Sequence, residues 1–175
     1  MSASQIYVGN PCGMVLCVDR LDHNYKVSGR IYHGYRLEAM EFSSMAEAIL
    51  YMDQFYDDMQ YPFPGTKTRH FGKAEEPVVI PYNKKTRHQK KKKSVSDNEL
   101  LDHKGKRGTF IIRVEQRQHS SWQGRVTWME KGETVVFRSA LELLKIMDRA
   151  LMQSPGNDNL QEDFLEASQN KMEAV

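Results

Sequence analysis

The sequence predicts an α+β protein, a tandem repeat of two βββα units related by a pseudo-twofold and joined by a long basic linker. Three observations carry this reading. Residues 13–58 align on 108–153 without a gap at an offset of 95, and nine of the 46 positions are identical: Gly13/Gly108, Gly29/Gly124, Arg30/Arg125, Glu38/Glu133, Phe42/Phe137, Ser44/Ser139, Glu47/Glu142, Met52/Met147 and Asp53/Asp148. Each copy reads strand, strand, strand, helix, with period-2 alternation at the start of the second copy and an apolar stripe of helical spacing at the end of both. Positive charge is gathered between the copies: residues 66–107 hold 13 Lys/Arg against 5 Asp/Glu, which leaves 12 against 18 elsewhere. A repeat identifies the residues that its unit needs without reference to any other protein.

The chain then divides into a first unit over 1–60, a Pro-containing and Lys-rich linker over 61–107, a second unit over 108–153 and an acidic tail over 154–175. Its 175 residues suit one domain or two small ones. A unit of this size is near the limit at which a lone core is marginal, so the two are expected to pack on each other or on partner chains. Met1–Asn10 has neither a basic start nor a long apolar run, so no secretory signal is expected. No apolar stretch is long enough to span a membrane, and a cytoplasmic location is expected. Cys12 and Cys17 flank one predicted strand and make a poor disulfide pair, which fits free thiols in a reducing compartment.

Taken in order, the first unit offers strands at Met14–Val18, Val27–His33 and Leu37–Phe42. The second offers Phe110, Ile112 and Val114 alternating with Ile111, Arg113 and Glu115, a turn through His119–Ser121, a strand over Trp122–Trp128, a turn at Glu130–Gly132 and a strand over Thr134–Phe137. Ser44-Met-Ala-Glu47 and Ser139-Ala-Leu-Glu142 are capping boxes that start the two helices. Met45, Ile49, Met52 and Tyr56 form one apolar stripe, and Leu141, Leu144, Met147/Ala150 and Leu151 form the other. Between the units, Val78–Ile80 is expected to be extended, and Lys84–Lys93 is a basic run. Leu160, Phe164 and Leu165 give the tail weak helical spacing.

The helix starts carry a finer pattern. Phe42-x-Ser44-x-x-Glu47-Ala48-x4-Asp53 recurs as Phe137-x-Ser139-x-x-Glu142-Leu143-x4-Asp148, downstream of Val27-x-Gly29-Arg30-Ile31 and Trp122-x-Gly124-Arg125-Val126. Over roughly 30 residues of each copy this resembles the AP2-type DNA-binding domain and the arm-binding domains of phage integrases, which have three antiparallel strands and one helix. The second copy also resembles small uncharacterised domains of Gram-positive bacteria. The resemblance implies a sheet that lies in the major groove, with strand side chains on bases and phosphates. That role falls on Arg30 and Arg125, with Gln123, Thr127, Arg113 and Arg138 beside them. Met40 and Val135 stand where the family has glycine, and Met14–Val18 lacks the family's first-strand arginines. These departures suit a structural first copy.

Several candidates have two readings. Arg30/Arg125 and Asp53/Asp148 suit either an Arg–Asp pair, tying strand two to the helix or one copy to the other, or nucleic-acid contact by the arginine. Lys84, Lys85, Arg87, Lys90, Lys91, Lys92 and Lys93 suit a solvated tether, a nuclear address or a phosphate-binding strap whose affinity falls steeply with salt. Trp122 and Trp128, six apart on one strand, share a face and suit the core or a stacking platform. The six histidines lack the paired spacing of a zinc site, and no phosphate loop or nucleophile elbow is present. The expected protein is therefore a non-enzymatic accessory factor of bacterial or phage type, without cofactor or metal. Its expected partner is nucleic acid, duplex DNA above others. The alternative is a protein-interaction or assembly module, which the small net charge of +2 favours. Self-association is compatible with either.

Overall fold

The computed structural model describes residues 6–9, 11–22, 26–64, 71–72 and 92–154. It is an α+β fold with β1 (Met14–Leu21), β2 (Val27–His33), β3 (Arg36–Phe42), α1 (Met45–Met59), α2 (Asp97–Asp102), β4 (Gly108–Gln116), β5 (Gln123–Trp128), β6 (Glu133–Phe137) and α3 (Ala140–Met152). The strands make one antiparallel sheet in the order β3-β2-β1-β4-β5-β6. The two halves of the sheet thus meet strand to strand, through the β1–β4 ladder from Met14↔Ile112 to Val18↔Gly108. Val78–Ile80, the 160–165 stripe and most of the basic run lie outside the described residues.

Register shows where the gapless alignment slips. Val18 pairs with Gly29, whereas Val114 pairs with Gly124, so the first strands correspond at an offset of 96 and the second strands at 95. Gly29↔Phe42 and Gly124↔Phe137 keep the offset of 95 into the third strands. Gly13 and Gly108 therefore do not occupy equivalent places. Each first strand is bulged beside the retained glycine, between Val18 and Arg20 and between Val114 and Gln116, and the offset changes in the turn that follows. The retained glycines answer to that close approach. A Cβ on Gly29 would stand 1.9 Å from the Cys17 carbonyl oxygen, and one on Gly124 would stand 2.0 Å from that of Arg113. Only glycine fits where two backbones come this near.

Both long helices lie on one side of the sheet. Met14, Leu16, Val18, Ile31, Phe42, Phe110, Ile112, Val126 and Phe137 meet Ala48, Met52 and Tyr56 of α1 and Leu143, Met147 and Leu151 of α3. The helix stripes differ from the expected ones. Leu143 is fully buried and Leu141 is largely exposed, so α3 is rotated from the phase that Leu141 implied. Ser44 and Ser139 cap as expected, their hydroxyls accepting from the amides of Glu47 and Glu142. Each glutamate reaches one residue further back than a capping box requires, to the amides of Ser43 and Arg138. Trp122 and Trp128 both belong to this core, the second at its margin.

The opposite face carries a smaller core of Val8, Val15, Cys17, Tyr32, Val95, Leu100 and Ile111. It exists because residues 94–103, expected as linker, fold onto the sheet. Ser96 and Glu99 form a complete capping box at the start of α2 and set Leu100 against the sheet. Cys12 and Cys17 are buried and outside any disulfide, and burial pushes both thiols up to about 11. Thiolate chemistry is thereby suppressed at neutral pH.

His33 sits on the helical side, 6% exposed, beside Phe55 at a ring separation of 4.3 Å. Its Nδ1 accepts from the Tyr35 amide, so Nε2 carries the proton and donates to the Tyr51 hydroxyl at 3.1 Å. Burial lowers its pKa from 6.5 to about 4. The unfolded chain therefore takes up the proton first as pH falls. Stability from this group is complete above pH 6.5 and drains away towards pH 4, a loss on the order of 2 kcal/mol. Urea titrations across that window are expected to show this slope, and His33→Gln is expected to flatten it.

Candidate nucleic-acid interface

The face opposite the long helices holds the predicted strand residues Arg30, Arg113, Arg125 and Thr127. Side-chain alternation puts them there, since their neighbours Gly29, Ile31, Ile112, Val114, Gly124 and Val126 point to the helices or pack beneath them. The two halves treat this face differently.

In the first half it is closed. Leu100 of α2 packs over Val15, Cys17 and Tyr32. The His103 ring stacks on Tyr32 at 3.6 Å and 6°. Arg30 donates from Nε and Nη2 to both carboxylate oxygens of Asp19, at 2.7 and 2.9 Å, from Nη1 to the Tyr32 hydroxyl at 2.7 Å, and from Nη2 to the Lys104 carbonyl at 3.1 Å. The guanidinium holds the Asp19 carboxyl below the usual carboxylate range. Four of the five guanidinium N–H groups are thereby engaged, which leaves no bidentate fork for a base edge.

Among the described residues, the face in the second half is open at Arg125 of β5 and along β6. Arg125 stands half exposed, its Nε 3.4 Å from Glu115. Glu115 occupies the bulge of β4 as Asp19 occupies that of β1, so both retained arginines face the bulge acid of the neighbouring strand. The expected partners, Asp53 and Asp148, lie elsewhere. The two pairs differ in strength, bidentate and part-buried against single and solvated, and an exposed single contact stabilises by less than about 1 kcal/mol.

The other candidates divide. Arg113 is 7% exposed, donates to the Tyr7 carbonyl at 3.3 Å and to the Thr127 hydroxyl at 3.2 Å, and lies over the Tyr7 ring. Thr127 is buried and also bonded to Thr134 at 2.8 Å. Gln123 closes the turn before β5 through two bonds with the Gln118 backbone. These three residues serve the fold. Arg138 is exposed at the end of β6. Lys92 is exposed, while Lys93 pairs with Asp97 at 2.8 Å. Lys84, Lys85, Arg87, Lys90 and Lys91 lie outside the described residues. Lys104, which the candidate set omitted, is exposed and reaches Met129, just past the end of β5, at 3.8 Å. The run His103-Lys-Gly-Lys-Arg107 was its sequence signal.

Asp53 joins the halves through residues that the repeat does not share. It accepts from Trp122 Nε1 at 3.0 Å and lies 3.5 Å from Arg117, which also pairs with Asp57. Asp148, its sequence counterpart, is exposed. Among the described residues no cluster of His, Cys, Asp and Glu is arranged to hold a metal ion, and no helix is long and apolar enough to cross a membrane. Comparison with known protein families, curated proteins and solved structures finds no match to this chain.

Proposed function

We infer that this chain is a non-enzymatic nucleic-acid-binding accessory protein that engages duplex DNA through the open face of β5 and β6 and through the basic run before α2. The half-exposed Arg125 on the uncovered half of the sheet is the observation that carries this reading. Arg138 and Lys104 stand at either end of the same surface, and the lysine run supplies sequence-independent charge. In this reading each half descends from one AP2-like βββα unit and the halves are related by a pseudo-twofold. The order of the sheet and the matching bulges support that descent. One copy keeps its binding face, while the other has surrendered it to α2.

Fluorescence anisotropy with a labelled duplex across a salt series tests the proposal. Lys84, Lys85, Arg87 and Lys90 changed together to Ser are expected to reduce the slope of log affinity against log salt by about 3 and to weaken binding more than tenfold. This set spares Lys93, which packs against Gly34. Arg125→Glu is expected to weaken binding by about tenfold more. Binding that is unchanged in both variants would remove the proposal. The second reading, a protein-interaction module, is favoured by the exposure of Val135 and Val136 on β6. Passage through a heparin column at low salt would support it instead.

A further inference from the structure

The two edges of the sheet are protected unequally. β3 carries Arg36, Glu38 and Glu41 within seven residues, and its ladder with β2 is irregular between Ile31 and His33. Charges and register breaks of this kind stop edge strands from pairing with other chains. β6 has neither device. It reads Glu133-Thr-Val-Val-Phe137, with its single charge at the first position, and its five pairs with β5 are unbroken. Val135 is 45% exposed on the helical side and Val136 is 61% exposed on the other. Beside this edge a groove of about 180 Å³ opens between β5, β6 and α3, with Phe110, Val126, Trp128, Val135, Ile146 and Ala150 in its walls.

We propose that β6 pairs antiparallel with β6 of a second copy of this chain, continuing the sheet across a twofold axis. The strand is self-complementary in that arrangement. Centred on Val135, it sets Val135 against Val135 of the second copy and Thr134 against Val136. The acidic end at Glu133 then lies beside the basic end at Arg138 of the second copy, and no two like charges oppose each other. An axis normal to the sheet keeps all long helices on one side. It also brings each Val135 to the mouth of the other copy's groove, and Glu133 towards the positive end of the second copy's α3. The β1–β4 junction is a precedent within the chain: an antiparallel pairing between sheet halves, running from Met14↔Ile112 to Val18↔Gly108. Five residues of strand and one groove bury less than the roughly 1,200 Å² of a standard interface, so the pairing is weak and depends on concentration. The proposal is independent of the nucleic-acid reading.

Sedimentation velocity without nucleic acid, from about 1 to 500 µM chain, tests it. The parent is expected to move from monomer towards dimer mass over this range. Val136→Lys, whose side chain is solvated in the monomer, is expected to weaken association at least tenfold while circular dichroism stays unchanged. Leu37→Lys, on the β3 edge and 75% exposed, is expected to associate like the parent. A parent that stays monomeric at 500 µM, a Val136→Lys variant that associates normally, or loss of association in Leu37→Lys alone would each overturn the proposal.

Discussion

Gly124→Ala is expected to destabilise the protein by about 3 kcal/mol or more, although alanine ordinarily improves on glycine within a strand by about 0.5–1 kcal/mol. The reversal follows from what the added methyl group meets. Its carbon would fall 2.0 Å from the Arg113 carbonyl oxygen and 3.0 Å from the Phe137 ring. The ring can tilt, but the carbonyl belongs to the bulged backbone of β4, whose neighbours Ile112 and Val114 are fully buried. Relief requires opening the β4–β5 ladder at the bulge. Gly29→Ala meets the same obstacle at Cys17 and is expected to behave alike. Urea denaturation of both variants measures this, and a loss below about 1 kcal/mol in each would show that the bulge yields easily.

Trp122→Ala is expected to cost about 3–5 kcal/mol, the range for emptying a buried tryptophan site. Trp122 is 5% exposed and meets Tyr56 edge to face at a centroid separation of 5.6 Å. Its Nε1 donates to Asp53 of α1. The side chain therefore holds the helix of one half against the strands of the other. Trp122→Phe keeps most of the apolar contact and gives up the hydrogen bond, so about 1 kcal/mol is expected from that loss. A Trp122→Ala variant within about 1 kcal/mol of the parent would mean that the β1–β4 ladder and the Arg117 ion pairs hold the halves without it.

The elements were legible because their signals are local. Period-2 alternation located β4, β-rich residues and turns located β5 and β6, the repeat carried these assignments to the first half, and the two Ser-x-x-Glu sequences located the long helices. The same signal stands at Ser96-Asp-Asn-Glu99, within a basic stretch whose composition reads as linker. What the sequence concealed was long-range. Asp19 and Glu115 are the partners of the retained arginines, but the extra residue between β1 and β2 shifts them out of step in a gapless alignment. The closure of the first half by α2 also left no trace in the internal alignment, since the covering segment lies outside both 13–58 and 108–153. Leu141 was misplaced for a different reason. Leu141, Leu143 and Leu144 offer two competing stripes, and only packing against Phe137 and Val126 chooses between them.

The junction of the halves also bears on synthesis. β1 finds its second neighbour only when β4 has been made, the ladder ending in Val18↔Gly108. At roughly 5–20 residues per second, the ribosome takes several seconds to supply the ninety residues between them. Throughout that interval the newborn amino-terminal portion presents Met14 to Val18 with one side unpaired, an inviting target for chaperones or for the same stretch of another nascent chain. Emergence of β4, rather than completion of the first half, is the moment at which this vulnerability ends.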